Sequence, residues 1–327
     1  MNNETERLTP VYLLSGFLGS GKTTLLARLL EHYKHQGLKP AVVMNELGEV
    51  NLDGELVDAA IPMAEMLGGC ICCSIRSDLG VELGALIEQH RPDVIFIEST
   101  GAANPMETLD GITDAAMYKT VELRAVLTVV DGPELLQRSR NGKGRTFKLM
   151  KEQIRCGSHL LLNKADKLAP DELVEAQQLL RELNAYAPIM PTVRCEVQDW
   201  SWLSSAANAP IGAISPLNGV AEGETEQEEH HHSHEHVMVV THYFRSSVSS
   251  GLFEELLTRL PDTIYRAKGI VSFSDTASGS RFLFQYAYKE SDFIRIEPQG
   301  KVNDVAVFIG EHFSKDWLKN ELAKLEA

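Results

Sequence analysis

The stretch from Val11 to Leu30 limits what this chain can fold into more than any other. Val11-Tyr12-Leu13-Leu14-Ser15 is a short apolar run, read as a buried strand. It leads into Gly16-Phe17-Leu18-Gly19-Ser20-Gly21-Lys22-Thr23, which satisfies the phosphate-loop pattern G-x-x-x-x-G-K-[ST]. Thr24 and Leu25-Leu26-Ala27-Arg28-Leu29-Leu30 follow as helix formers with apolar residues on one face. Backbone N–H groups cradle phosphate oxygens only where no Cβ intrudes. The helix behind the loop aims its positive end at the same anion. A nucleotide is therefore expected on Gly16 to Thr24, with Gly16, Gly19, Ser20, Gly21 and Thr24 around its phosphates. Lys22 is expected at the β- and γ-phosphates, and Thr23 on Mg²⁺ through its hydroxyl. An ordinary glycine turn would not need the strand before the loop or the helix after it.

With 327 residues there is room for two domains, each with its own core. The formal charge of −15 argues against a nucleic-acid partner, which would ask for a basic face. Met1-Asn2-Asn3-Glu4-Thr5-Glu6-Arg7 has no apolar signal core, and no run approaches the roughly 18 apolar residues of a membrane span. No membrane partner and a cytoplasmic location are expected. Three of the five cysteines crowd into four positions, which is not the spacing of a disulfide framework.

Ala41-Val42-Val43-Met44 reads as a second buried strand, followed by the polar stretch from Asn45 to Asp53. The carboxyl ends of strands are where open α/β sheets place ligands. Glu46, Glu49 and Asp53 are candidates for Mg²⁺, for a transition metal or for the attacking water; the plain alternative is a charged surface loop. Gly68-Gly69-Cys70-Ile71-Cys72-Cys73 comes next. Thiolates are soft ligands that select Zn²⁺, Cu⁺ or related ions over Mg²⁺. Tetrahedral zinc wants four donors, so Cys70, Cys72 and Cys73 leave one position for Glu46, a histidine or a transfer partner. A buried cysteine cluster or a redox pair is the alternative, but no C-x-x-C opens a thioredoxin-like helix here.

Leu79 to His90 has a helical pattern, and Pro92 to Ile97 a strand that ends at Glu98-Ser99-Thr100-Gly101. An acid at that strand tip is placed to hold the Mg²⁺ water shell. The Gly101 N–H can sense the γ-phosphate, the usual switch logic. Lys22, Glu98 and Asp53 are the catalytic candidates. Ala125 to Asp131 is a further strand, Gly142-Lys143-Gly144-Arg145 an exposed interruption, and His159 to Leu162 a strand leading into Asn163-Lys164-Ala165-Asp166. N-K-x-D at a strand end reads guanine. The Asp166 carboxylate accepts from guanine N1–H and N2–H₂ together, a donor pair that adenine lacks, so GTP is selected over ATP. Pro170 opens a helix through Leu183.

Residues 204–236 read as an acidic, Gly- and Pro-containing linker that ends in His230, His231, His232, His234 and His236. The tract suits loose capture of Zn²⁺, Ni²⁺ or Co²⁺; a solvated linker or an inserted tag is the alternative. Residues 1–203 then form a P-loop α/β domain with a mostly parallel sheet. Residues 237–327, with strand candidates around a helix carrying Leu252, Phe253, Leu256 and Leu257 and a final helix carrying Trp317, Leu318 and Leu322, form a smaller α+β domain.

Together these residues resemble the CobW-type metal-associated GTPases. The match is carried by Gly16 to Thr23, Asn45-Glu46-x-Gly48-Glu49, Gly69-Cys70-x-Cys72-Cys73, Glu98-Ser99-Thr100-Gly101-x-Ala103-x-Pro105 and Asn163-Lys164-x-Asp166. The histidine tract, Arg266-x-Lys268-Gly269 and Val307-Phe308-Ile309-Gly310 add to it. Leu47 stands where the family commonly has an aromatic residue, and Cys156-Gly157-Ser158 where Ala-Asp is usual. The resemblance implies a Mg²⁺-dependent GTPase whose C-x-C-C motif binds zinc and passes it to a client metalloprotein, with GTP binding and hydrolysis gating the transfer. Cobalt- and nitrile-hydratase-associated branches are also implied. The chain is expected as a monomer, or as a homodimer that depends on metal or nucleotide. A metal-buffering GTP-binding protein and a P-loop kinase with a zinc knuckle are rival readings.

Overall fold

The computed structural model describes residues 8–45, 61–65, 74–141, 144–205, 237–277, 279–287, 289–298 and 300–326. The first domain alternates strands and helices. These are β1 (Thr9–Ser15), α1 (Lys22–His35), β2 (Pro40–Asn45), β3 (Met63–Glu65), α2 (Ser74–His90), β4 (Val94–Ser99), α3 (Pro105–Ala116) and β5 (Val121–Asp131). After them come α4 (Gly132–Asn141), α5 (Arg145–Cys156), β6 (His159–Asn163), α6 (Pro170–Leu183), β7 (Ile189–Pro191) and α7 (Ser201–Ser205). The strands line up as β3-β2-β4-β1-β5-β6-β7, and every pairing is parallel. Parallel strands are covered on both faces, so β1, β4 and β6 are near-continuous apolar runs. The chain turns outward in opposite directions from β1, toward β4 and toward β5. The phosphate loop therefore leaves the sheet at the switch point, where doubly wound folds hold ligands.

The second sheet is antiparallel. Its strands are β8 (Val237–Tyr243), β9 (Ile264–Ser272), β10 (Arg281–Ala287), β11 (Glu290–Ile296) and β12 (Val305–Glu311), ordered β11-β10-β9-β12-β8. Helices α8 (Ser250–Arg259) and α9 (Lys315–Lys324) cover one face, with Phe253, Leu256, Leu318 and Leu322 against Phe284 and Phe308. The other face is not left to solvent. Ile270, Val305, Val307 and Ile309 join one apolar cluster with Leu83, Leu109, Ile112 and Ala115 of α2 and α3. β12 is buried at six consecutive positions for this reason, since both of its faces are covered.

The boundaries differ from the sequence pattern in a few places. β5 starts at Val121 rather than Ala125, because its first residues meet the second domain: the Tyr243 hydroxyl accepts from Val121 N at 2.8 Å. Helix α7 runs through Ser204 and Ser205, the first two residues of the stretch read as linker. α3 carries no strong sequence signal beyond Asn104-Pro105, yet Asn104 caps it, accepting from Met106 N at 3.0 Å. No described helix is long and apolar enough to cross a membrane.

Candidate nucleotide site

The phosphate loop is built so that side chains cannot intrude. Gly16 has φ 136°, and a Cβ there would lie 2.2 Å from Val129 O. Gly21 has φ 114°, and a Cβ there would lie 2.6 Å from Asn163 Nδ2. Gly19 and Thr24 are exposed, while Ser20 is fully buried and its Oγ has no hydrogen-bond partner among the described residues. An orphaned buried hydroxyl in a glycine cradle fits a ligand with phosphate oxygens. Lys22 opens α1, is only 6 % exposed, and donates from Nζ to Phe17 O at 3.4 Å, folding its ammonium back over the loop.

Thr23 Oγ1 donates to Glu98 Oε1 at 2.9 Å. This joins the first turn of α1 to the tip of β4, with the carboxylate buried. A hydroxyl and a carboxylate at this spacing, beside a phosphate cradle, are the hard oxygen donors that Mg²⁺ and its water shell take. The next loop touches the cradle directly: a Cβ on Gly101 would lie 2.6 Å from Leu18 N. Leu18 itself is 68 % exposed at the loop tip.

The Asn163-Lys164-Ala165-Asp166 segment is tied to the same loop. Asn163 ends β6 and is enclosed by protein. Its Nδ2 donates to Ser20 O at 2.8 Å, while its Oδ1 accepts from Cys195 N at 3.0 Å and from Thr192 Oγ1 at 3.3 Å. Asn163 thus clamps the phosphate loop to the loop after β7. Lys164 follows in the left-handed region (φ 60°) and ion-pairs with Asp131 at the end of β5. Asp166 is exposed on the 3₁₀ turn Ala165–Lys167.

Sequence reasoning missed the segment Thr192 to Cys195. Arg194 and Cys195 both have positive φ, 49° and 54°, a backbone that non-glycine residues rarely adopt. The strain is held by Arg28 Nε donating to Arg194 O at 2.8 Å and by Cys195 Sγ reaching Gly21 O at 3.4 Å. Nothing in Thr-Val-Arg-Cys announces such a turn. Burial pushes the thiols of Cys156 and Cys195 up to about 12, so both are poor ligands and poor nucleophiles.

Glu46, Glu49, Asp53, Cys70, Cys72, Cys73 and the histidines His230, His231, His232, His234 and His236 lie outside the described residues. Among the described residues no group of three or more His, Cys, Asp or Glu side chains is arranged to hold a metal ion. The strands that flank the cysteine region are described. Met44 and Asn45 of β2 pair with Glu98 and Ser99, and Glu65 of β3 pairs with Met44. β2, β3 and β4 are parallel neighbours, so Asn45, Glu65 and Ser99 end their strands on the same carboxyl side of the sheet.

A parallel α/β sheet with this loop at its switch point and an N-K-x-D segment clamped against it defines a P-loop nucleotide-binding protein with an appended antiparallel domain. Residues 10–191 match the family described as CobW/HypB/UreG, nucleotide-binding domain, and residues 237–326 match the cobalamin synthesis protein cobW C-terminal domain. The chain belongs to the CobW family. Among its relatives, the zinc chaperone YeiR of Escherichia coli is 37 % identical over 165 residues, covering 50 % of this chain and 49 % of that protein. The zinc-regulated GTPase metalloprotein activator 1 of Dictyostelium discoideum is 31 % identical over 215 residues, covering 55 % of this chain and 45 % of that protein. The chain thus spans about half the length of these two relatives. The zinc chaperone YjiA of Escherichia coli is 26 % identical over 334 residues, covering 96 % of this chain and 98 % of that one. The solved structure of Zn(II)-bound YjiA GTPase covers 98 % of this chain and 100 % of its own, with 23 % identity and a TM-score of 0.45.

Proposed function

We propose that this chain is a cytoplasmic GTP-hydrolysing metallochaperone that binds zinc at Cys70, Cys72 and Cys73 and hands it to a client metalloprotein under control of the nucleotide. The observation that carries the reading is that β3, β2 and β4 are parallel neighbours ending on one side of the sheet, with Glu46, Cys70 and Gly101 following them in sequence, and that the Gly101 loop touches the phosphate cradle. Relatives named as zinc chaperones and zinc-regulated GTPases support the choice of metal.

In this reading residues 1–203 are the GTPase domain, 204–236 a metal-gathering linker and 237–327 the appended domain. Lys22 neutralises charge on the β- and γ-phosphates. Thr23 and Glu98 would hold Mg²⁺, which supplies charge neutralisation at the transferred phosphoryl group. Gly101 reports the γ-phosphate through its N–H. Lys164 and Asp166 read the base, while Asn163 keeps their turn in register with the cradle. Glu46 or Glu49 completes the thiolate set, and Asp53 orients the attacking water. The His230–His236 tract collects metal loosely, with Co²⁺ and Ni²⁺ as competitors.

Coupling of about 1–3 kcal/mol between the two sites would change zinc affinity about 5- to 150-fold, and linkage demands the same factor in GTP affinity. The test is the affinity for a non-hydrolysable GTP analogue with and without zinc, in the parent chain and in a variant with Cys70, Cys72 and Cys73 changed to Ser. A zinc-dependent change in the parent and none in the variant is expected. Equal affinities in the parent would remove the gating and leave a metal-buffering GTP-binding protein.

A further inference from the structure

Gln153 lies on α5, outside every motif that the site uses, yet it is 1 % exposed and faces the loop after β4. Its Nε2 donates to Gly101 O at 3.2 Å and to Ala103 O at 3.3 Å. The two amide hydrogens thus meet two backbone carbonyls, and the opposite amide orientation would set oxygen against oxygen. Its Oε1 is buried with no hydrogen-bond partner among the described residues. A buried amide that leaves its oxygen unsatisfied is costly as core filling, which points to a job for the nitrogen.

That job follows from Gly101. The position must be glycine, because a Cβ would run into Leu18 N. Glycine is also the residue with the most backbone freedom to lose. A loop that reports a phosphate through the Gly101 N–H needs the backbone beside that glycine held; no side chain at position 101 can do it, and Gln153 does so through the carbonyl of the following peptide, Gly101–Ala102. We propose that Gln153 is the positioning residue that fixes the Gly101–Ala103 loop in its γ-phosphate-sensing orientation and thereby sets the preference for GTP over GDP. The inference rests on the nucleotide reading of the site given above.

The loop continues into α3, which carries Asp110 and Asp114 against Arg266 and Lys268 of β9. The orientation held by Gln153 is therefore also the one in which α3 meets the second domain.

The test is equilibrium binding of GDP and of a non-hydrolysable GTP analogue to the full chain, to Gln153→Leu and to Gln153→Glu. Losing two neutral hydrogen bonds from Gln153 should weaken the analogue about 5- to 30-fold in the leucine variant, with GDP within roughly twofold of the parent. Gln153→Glu sets a carboxylate against both carbonyls and should weaken the analogue further. Thermal unfolding of nucleotide-free protein gauges the structural cost: leucine leaves the Gly101 and Ala103 carbonyls without the Gln153 donors, so its midpoint should fall, but a merely structural role would not weaken the analogue selectively over GDP. If leucine does not fold, Gln153→Met, unbranched and of similar length, takes its place. Equal losses for both nucleotides, or unchanged analogue affinity, would overturn the latch alone. A parent chain that binds neither nucleotide would remove the reading of the site and the latch with it.

Discussion

Replacing Asn163 gives the sharpest check on how the nucleotide site is assembled, because one buried amide joins three loops there. In Asn163→Ala the N–H of Cys195 loses its acceptor, and Ser20 O loses a donor at 2.8 Å. An unsatisfied buried donor costs about 1–3 kcal/mol, and an ordinary hydrogen bond contributes about 0.5–1.5 kcal/mol. The sum, about 3 kcal/mol, corresponds to a fall in melting temperature of about 6–12 °C for a domain of this size. Asn163→Asp separates the two ends of the clamp. It keeps the acceptor for Cys195 N but faces Ser20 O with a carboxylate oxygen, so the phosphate loop is repelled while the Thr192–Cys195 turn is kept. Denaturant unfolding and GDP binding should show the alanine variant losing both stability and affinity. The aspartate variant should lose affinity out of proportion to stability. A loss under 1 kcal/mol in the alanine variant, with GDP affinity intact, would refute the clamp.

Burial against Trp202, with ring centroids 4.6 Å apart, lowers His159 from its ordinary 6.5 to about 4. Its share of stability is complete above the unfolded value and is lost as pH falls from about 6.5 toward 4, reaching about 3 kcal/mol at about 1.4 kcal/mol per unit. His159→Gln should flatten the pH profile of unfolding by that amount, and parallel profiles would exclude it. Arg266 donates to Asp110 at 2.8 Å across the domain interface. With Arg266 about a third exposed, Arg266→Ala should cost about 1–2 kcal/mol; a double-mutant cycle with Asp110→Ala that proves additive would dissolve the pair. Asp166→Asn should weaken GTP about 10- to 100-fold and favour a purine with a carbonyl at the 2-position, which calorimetry on both nucleotides would reveal. Unaltered GTP affinity would unseat Asp166 as the base reader.

Local chemistry was enough to read the strand, glycine loop and helix at the start of the chain: Gly16 and Gly21 take positive φ and Lys22 opens α1. The parallel sheet was legible too, since strands covered on both faces must be apolar throughout, as Val94 to Ile97 are. The clamp was not legible. Asn163, Cys195 and Gly21 meet across 32 and 174 positions of chain, and the left-handed turn at Arg194 and Cys195 exists because tertiary contacts hold it. The same is true of Gln153, which lies in a stretch that no sequence motif singles out. The burial of the second sheet's other face was not legible either, because the residues of α2 and α3 that join its cluster lie far away in the chain. Periodicity and turn chemistry are short-range properties and can be read from sequence. Which carbonyl a buried amide satisfies is settled only when distant segments share one enclosed volume.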